Sequence, residues 1–391
     1  MCLHLLVEYR LQIMFERRLT RQIAIGDTVI GGDAPISVQS MTKTDTRDIK
    51  STIRQIKELE DAGCEIIRCA VPDLEAADAL AEIKKNISIP LVADIHFHHN
   101  LALKSIENGV DALRLNPGNI RDADKVREVV KAAKTRSIPI RIGVNFGSLP
   151  PIGGIGKTGD FHRLADGVNK LAKDSKETDA EYNVVDHMVN TALWEVAILE
   201  DMDFDQIKIS VKGFDVPMTV DAYTRLSDKV DYPLHLGITE AGTPLNGSIR
   251  SAVGLGTLLA MGIGDTIRVS LAGDPVLEVE AGYEILKSLN LRNKGVTLVA
   301  CPSCGRADVD IVKYANMVDE ALKKFDKPIK VAVMGCEVNG PGEAKDADIG
   351  IAAGVGRGII FRKGQKVKVV PESEFLPALI EEMEKIDLES K

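Results

Sequence analysis

No run of apolar residues in this chain of 391 approaches the roughly 20 that a membrane-spanning helix needs. The N-terminal stretch "MCLHLLVEYRLQIM" is broken by Glu8 and Arg10, and no small-residue cleavage site follows it, which argues against a secretory signal. A basic excess is lacking too: 58 acidic residues against 49 basic ones leave a formal charge of −9, and aromatic residues make up only 4%. General nucleic-acid binders carry a basic stripe and stacking rings, so that class is disfavoured. Six cysteines in a chain this long, without a secretory signal, suggest reduced thiols or metal ligands, not a disulfide framework. The expectation is a cytoplasmic protein with no membrane or nucleic-acid partner. An anionic small molecule held by a few local arginines stays open.

What the chain does contain is a repeat. Eight apolar runs, "PISVQS", "EIIRCAV", "PLVADI", "DALRLN", "IPIRIGV", "QIKISVK", "PLHLGI" and "TIRVSL", are rich in Ile, Val and Leu and bounded by turn residues, as buried parallel strands should be. Between them, segments such as "DIKSTIRQIKELEDAG" and "LEAADALAEIKKN" repeat apolar residues at three- and four-residue spacing, which predicts amphipathic helices. Eight such alternations point to a (β/α)8 TIM barrel over 26–292, preceded by an N-terminal extension over 1–25. One connection breaks the rhythm: the fifth and sixth strands lie roughly 60 residues apart, which predicts an insertion at about 148–182. Its "GIGKT" is no phosphate-binding loop, because Pro151 stands where that pattern needs its first glycine.

From about residue 293 to 391 the character changes to a small α/β module, with strands at "GVTLVA", "PIKVAVMGC", "DIGIAA" and "RGIIFRKGQKVKVV" and a helix at "DVDIVKYANMVDEALKKF".

Barrel enzymes place their chemistry at the C-terminal ends of the strands. Here those ends supply Arg68, Asp94 with His96, Arg114 with Asn116, Arg141 with Asn145, Lys212, His235 with Glu240, and Arg268 with Ser270. Five cations aimed into one mouth need a counter-charge. Pairing with Asp94 and Glu240 could absorb two of them. A ligand carrying phosphate accounts for more, because a guanidinium fork matches phosphate oxygens two at a time. His96, His98 and His99 lack a metal-binding spacing, and hydrogen bonding by His96 to substrate is the better expectation. His4, His162 and His187 are expected to be solvated.

In the C-terminal module, Cys301 and Cys304 form C-x-x-C, and Cys336 follows a helix and a strand later. A closed zinc site would want a fourth Cys or His, and no histidine follows His235. An iron-sulfur cluster fits three thiolates better, although a fully structural cluster usually takes four cysteines. Glu343, across "NGPG" from Cys336, could complete such a site with an oxygen ligand, one more easily displaced than a thiolate. It could equally be a solvated loop acid.

Taken together, "ACPSCGR", "MGCEVNGPGEA", "LHLGITEAG", "GIGDTIRVSL", "RLNPGN", "RIGVN" and "SVQSMT" resemble the 4-hydroxy-3-methylbut-2-enyl diphosphate synthase family of the methylerythritol phosphate route to isoprenoids, over roughly 20–372. The resemblance implies an oxidoreductase with a (β/α)8 barrel followed by an iron-sulfur domain. It implies a 4Fe-4S cluster on Cys301, Cys304, Cys336 and Glu343, and a cyclic diphosphate substrate opened and dehydroxylated by two electrons from ferredoxin or flavodoxin. Arg68, Arg114, Arg141, Lys212, Arg268 and Ser270, with Asn145, are then expected at the diphosphate. Glu240 is expected as proton donor, Asp94 and His96 as positioners, and Asn339 at the substrate from the cluster side. Members of the family are homodimers in which one subunit's cluster module closes over the partner's barrel. The rival readings are a phosphate-binding barrel hydrolase or aldolase with a structural zinc ribbon, and an iron-sulfur scaffold or sensor.

Overall fold

The computed structural model describes residues 16–151, 155–156, 160–164, 183–305, 307, 309–325, 327–336 and 345–389, with side chains to 386. The chain divides into two compact units, Met1–Leu291 and Arg292–Lys391.

In the first unit all eight expected strands form: β3 (Ser37–Met41), β4 (Ile66–Ala70), β5 (Leu91–Asp94), β6 (Ala112–Arg114), β7 (Ile140–Asn145), β8 (Ile207–Lys212), β9 (His235–Leu236) and β10 (Thr266–Ile267). They pair in parallel in the order β8-β7-β6-β5-β4-β3-β10-β9. A parallel bridge between Ile209 and Leu234 joins β8 to β9 and brings the ends of the sheet together. The outward-facing residues, among them Ile67, Leu113, Ile142 and Ile209, are buried against the surrounding helices, which is why these strands read as nearly continuous apolar runs.

Several of the helices start where an aspartate caps them. Asp73 accepts from the Ala76 N–H at 2.9 Å, Asp122 from Asp124 at 3.1 Å, Asp215 from Met218 at 2.8 Å and Asp274 from Val276 at 2.9 Å. Each carboxylate satisfies a donor that the first helical turn leaves open, and each sits in the loop that follows a strand. These four caps therefore fix the loops at the end of the barrel where strands deliver polar side chains.

The segment 16–25, expected as part of an extension, belongs to the barrel. β1 (Ile23–Ile25) and β2 (Thr28–Ile30) form an antiparallel hairpin whose Ile23, Ile25 and Ile30 pack on Ile66, Val92 and Ala112. The hairpin closes the floor of the barrel with apolar side chains. Arg17 pairs with Asp265 at 3.2 Å, and the Thr20 hydroxyl donates to the same carboxylate at 2.9 Å. Much of the expected insertion lies outside the described residues, including 157–159 and 165–182. Of the rest, Ile155 and Phe161 are buried in the barrel's core cluster. His187 is also buried, with Nε2 2.7 Å from the Pro150 carbonyl; it sits on the inner side of the helix Val184–Glu200 and is not solvated as the sequence suggested.

The second unit is a five-stranded sheet in the order β11 (Thr297–Ala300), β12 (Lys330–Met334), β13 (Ile349–Gly354), β14 (Arg357–Arg362) and β15 (Gln365–Pro371). The first three strands are parallel and the last two antiparallel. "RGIIFRKGQKVKVV" is thus two strands. Lys363 and Gly364 both take positive φ, 47° and 74°, the conformation that a two-residue hairpin turn needs. The helices Ile311–Leu322 and Phe375–Glu389 pack on one face through Ile311, Val318, Phe375, Leu379 and Met383.

Candidate active site

The inward-facing side chains at the C-terminal end of the barrel are cationic and buried. Arg68 is 9% exposed, Arg114 4%, Arg141 4% and Lys212 5%, against one inward carboxylate, Asp94, at 6%. Parallel register explains the grouping: Asp94 is paired with Arg114, and Arg114 with Arg141, on neighbouring strands. Asp94 lies 3.6 Å from both Arg68 Nε and Arg114 Nε, and 3.7 Å from His96 Nε2. Burial alone would push its carboxyl up, but Arg68 and Arg114 outweigh that and hold it below the usual carboxylate range. Asp94 is therefore an anion that ties two arginines together.

Arg114 is fixed on its other side by the Gly143 carbonyl, which accepts from Nη2 at 2.6 Å, and its Nη1 is 3.1 Å from His96 Nδ1. A Cβ at Gly143 would lie 2.6 Å from Arg114 Nε, so only glycine lets the guanidinium cross that strand. The Asn116 side chain holds Gly143 as well, accepting from its N–H at 2.8 Å and donating to its carbonyl at 3.2 Å.

Among the described residues, Arg141 and Lys212 have no carboxylate of their own. Burial comes first in depressing both pKa values, and neighbouring cations follow: Arg68 and Arg114 for Arg141, Arg141 and Arg268 for Lys212. Arg268 is pushed down to about 10 by burial and then by Arg68. Such repulsion among fixed cations is energy stored for an anion, which would relieve it on binding. His235 is fully buried, with Nδ1 2.5 Å from the Thr266 hydroxyl; burial and the nearby Lys212 keep its ring neutral.

The pairing with Glu240 that could have absorbed one cation does not occur among the described residues. Arg268 instead lies 3.7 Å from Glu278, on the helix Pro275–Ser288, and Glu278 is also 3.0 Å from Lys43 Nζ. Glu240 is exposed on the turn after β9, with a positive φ of 54°, a strained conformation for a non-glycine residue. Asn145 and Ser270 are half-buried at the rim. His96, with its side chain 55% exposed, is open to a ligand.

Three further residues belong to the site beyond those the sequence suggested. Lys43 follows β3 and reaches the Leu271 carbonyl at 2.8 Å. Lys208 sits two alternations below Lys212 on the same inward face of β8, so the two-residue period alone would have placed it inside. Glu195, on the helix Val184–Glu200, lines a cleft of about 480 Å³ beside Asn116 and Asn145. It is 2% exposed and accepts from the Gly118 N–H at 2.7 Å; burial raises its carboxyl to about 7.

Glu195 has a measurable signature. Its folded-state pKa lies above the ordinary value near 4.5, so the folded protein holds the proton more tightly, and stability falls as pH rises from about 4.5 to about 7. Glu195→Gln keeps an acceptor for Gly118 and carries no charge. The variant should match the wild type near pH 4.5 and exceed it by up to about 3 kcal/mol above pH 7. Urea titrations followed by the fluorescence of Trp194, the single tryptophan, check this. A stability difference that does not change with pH would contradict it.

In the second unit, β11 and β12 bring two thiols to neighbouring strand ends. Ala300 is paired with Val333, Cys301 follows Ala300 with its N–H on the Val333 carbonyl at 3.0 Å, and Cys336 stands two residues past the end of β12. Cys336 is 8% exposed, Cys301 half-buried and Cys304 exposed, and none of the three is in a disulfide. Among the described residues no three ligating side chains converge on one point. Glu343 and Asn339 lie outside the described residues. The donor set nonetheless suits soft iron-sulfur chemistry: thiols on adjacent strand ends, and no imidazole in the unit.

A TIM barrel with an anion-seeking mouth, followed by a small α/β unit bearing three thiols, is the class of protein that fold and site define. The GcpE TIM-barrel domain matches residues 20–283 and the GcpE protein C-terminal domain matches residues 297–385, so the chain belongs to the GcpE family. It is 57% identical over 370 residues to the 4-hydroxy-3-methylbut-2-en-1-yl diphosphate synthase (flavodoxin) of Dehalococcoides mccartyi, covering 95% of this chain and 99% of that protein. It is 55% identical over 369 residues to the enzyme of the same name from Geobacter sulfurreducens, covering 94% and 98%. Among the described residues, no helix is long and apolar enough to cross a membrane.

Proposed function

We propose that this protein is an oxidoreductase that opens the ring of 2-C-methyl-D-erythritol 2,4-cyclodiphosphate and removes one hydroxyl as water, giving 4-hydroxy-3-methylbut-2-enyl diphosphate. The reaction takes up two electrons. Family membership and two curated relatives above 50% identity over nearly the whole chain support this reading. The observation that carries it is the excess of buried cations over Asp94 at the barrel mouth. The alternative of a hydrolase with a zinc ribbon is not favoured by the relatives' names or by a unit with three thiols and no imidazole.

Arg68, Arg114, Arg141, Lys212 and Arg268 hold the diphosphate, with Ser270 and Asn145 donating from the rim. Asp94 orients Arg68 and Arg114, so that both forks face one way before substrate arrives, and His96 meets the ligand from the exposed side. A 4Fe-4S cluster on Cys301, Cys304, Cys336 and Glu343, when bound, supplies electrons one at a time. Flavodoxin is the donor that the relatives' names indicate; ferredoxin is an alternative donor of the same type. Homodimer formation and a cytoplasmic location belong to the same reading and rest on the family resemblance. Asn339 is assigned to the substrate on that ground as well.

Glu240 delivers the proton that the departing hydroxyl needs. Glu240→Gln keeps the size and removes the acid, so kcat should fall by about 10²–10⁴ with the visible spectrum of the reduced and oxidised protein unchanged. Turnover of the cyclodiphosphate by anaerobically purified protein with a chemical reductant tests the function itself. Retained activity in the variant would remove Glu240 from its role without touching the rest.

A further inference from the structure

Beneath the mouth the barrel holds Lys208 and Gln39, which the diphosphate does not explain, beside the lower edge of Arg141. Arg141 and Lys208 are directly paired positions on the adjacent strands β7 and β8. Lys208 is 2% exposed and its Nζ has no partner, while Arg141 Nε and Nη1 are shut from solvent and equally unpartnered. Gln39, on β3 and 2% exposed, has both amide atoms unpartnered. All three line one small cavity at the barrel floor, together with Ile23 and Ile25 of the floor hairpin and Val92.

No carboxylate lines that cavity. Asp94 is engaged with Arg68 and Arg114, and Asp265 with Arg17, Thr20 and the Leu234 N–H. Burial and then Arg141 depress Lys208, so the two cations work against each other. Every unpartnered nitrogen here is a donor, and a buried charge stays charged only when something opposite meets it. The cavity is small, about 10 Å³, and takes one compact occupant. Phosphate, sulfate and carboxylates are too large. Asp265 acts on Lys208 and Asp94 on Arg141 only from outside the cavity, and a water there would leave the rest of the positive charge uncompensated.

We propose that the barrel floor binds one monatomic monovalent anion of the halide class, held by Arg141, Lys208 and the Gln39 amide. The ion neutralises the lower side of the cation cluster and fixes the Arg141 guanidinium from beneath.

The test uses the full chain and needs no turnover. Crystals grown in bromide should give an anomalous peak at the bromine edge between Arg141 and Lys208. In solution the melting temperature should rise by about 2 °C, saturably, when gluconate is exchanged for chloride or bromide at constant ionic strength and halide reaches about ten times its dissociation constant. Lys208→Met should lose both the peak and the halide dependence, and Lys208→Gln serves if the first variant does not fold. No bromine signal at the floor, a signal confined to the mouth, or an equal halide response in wild type and variant would each overturn the site.

Discussion

Cys336→Ala should yield colourless protein with almost no bound iron or sulfide, and turnover reduced by on the order of 10³ or more. Removing a group that only supports a metal ligand typically costs 10–100-fold, so removing a proposed ligand should exceed that range. The thiol is nearly buried at the end of β12, and its replacement by a methyl leaves only a small gap in a well-packed sheet end. The variant should therefore fold, and far-ultraviolet circular dichroism should be unchanged. Iron, sulfide and absorbance near 400 nm are measured first and activity second, so loss of the group is separated from loss of the chain. Iron and sulfide at wild-type levels would remove Cys336 from the ligand set, whatever the activity.

Arg114→Met should lower kcat/KM by about 10²–10⁴, the equivalent of about 3–5 kcal/mol. Two losses combine. The proposed diphosphate contact disappears, and Asp94, left with Arg68 and the His96 ring, becomes a less compensated charge in the interior. The second loss has its own reading. A carboxyl held down partly by Arg114 rises when that arginine is removed, so the acid limb of the pH profile should move up. Asp94→Asn in the same background should recover part of the folding stability without recovering activity. If Arg114→Met binds the cyclodiphosphate as tightly as the wild type, Arg114 is no diphosphate ligand.

The barrel was legible because its signal is periodic. Each parallel strand is buried on its outer face by helices, and eight short Val/Ile/Leu runs separated by amphipathic segments have few other solutions. The cations were legible for the same reason, since the residue at a strand's C-terminal end is placed by the strand itself. Lys208 was readable by that period and was overlooked because it lies at the far end of β8. What could not be read was partnership. Glu278 lies ten residues past Arg268 on the following helix, and only the packing of that helix against β3 and β10 makes it the counter-charge in place of Glu240. The same holds for Glu195, whose carboxyl is raised by burial against the opposing pull of the Gly118 N–H, a hydrogen bond across 77 residues of sequence.

The sequence by itself determined the eight strands, the cations at their ends, the separate C-terminal module and the family, because each is a local pattern of residue type and spacing. Tertiary structure alone decided which charges meet. Asp94 joins two arginines, Glu278 takes a third, the hairpin of residues 23–30 seals the floor, and Arg141 and Lys208 are left facing each other. Coulomb energy depends on distance and burial, and neither is written in the order of residues along the chain.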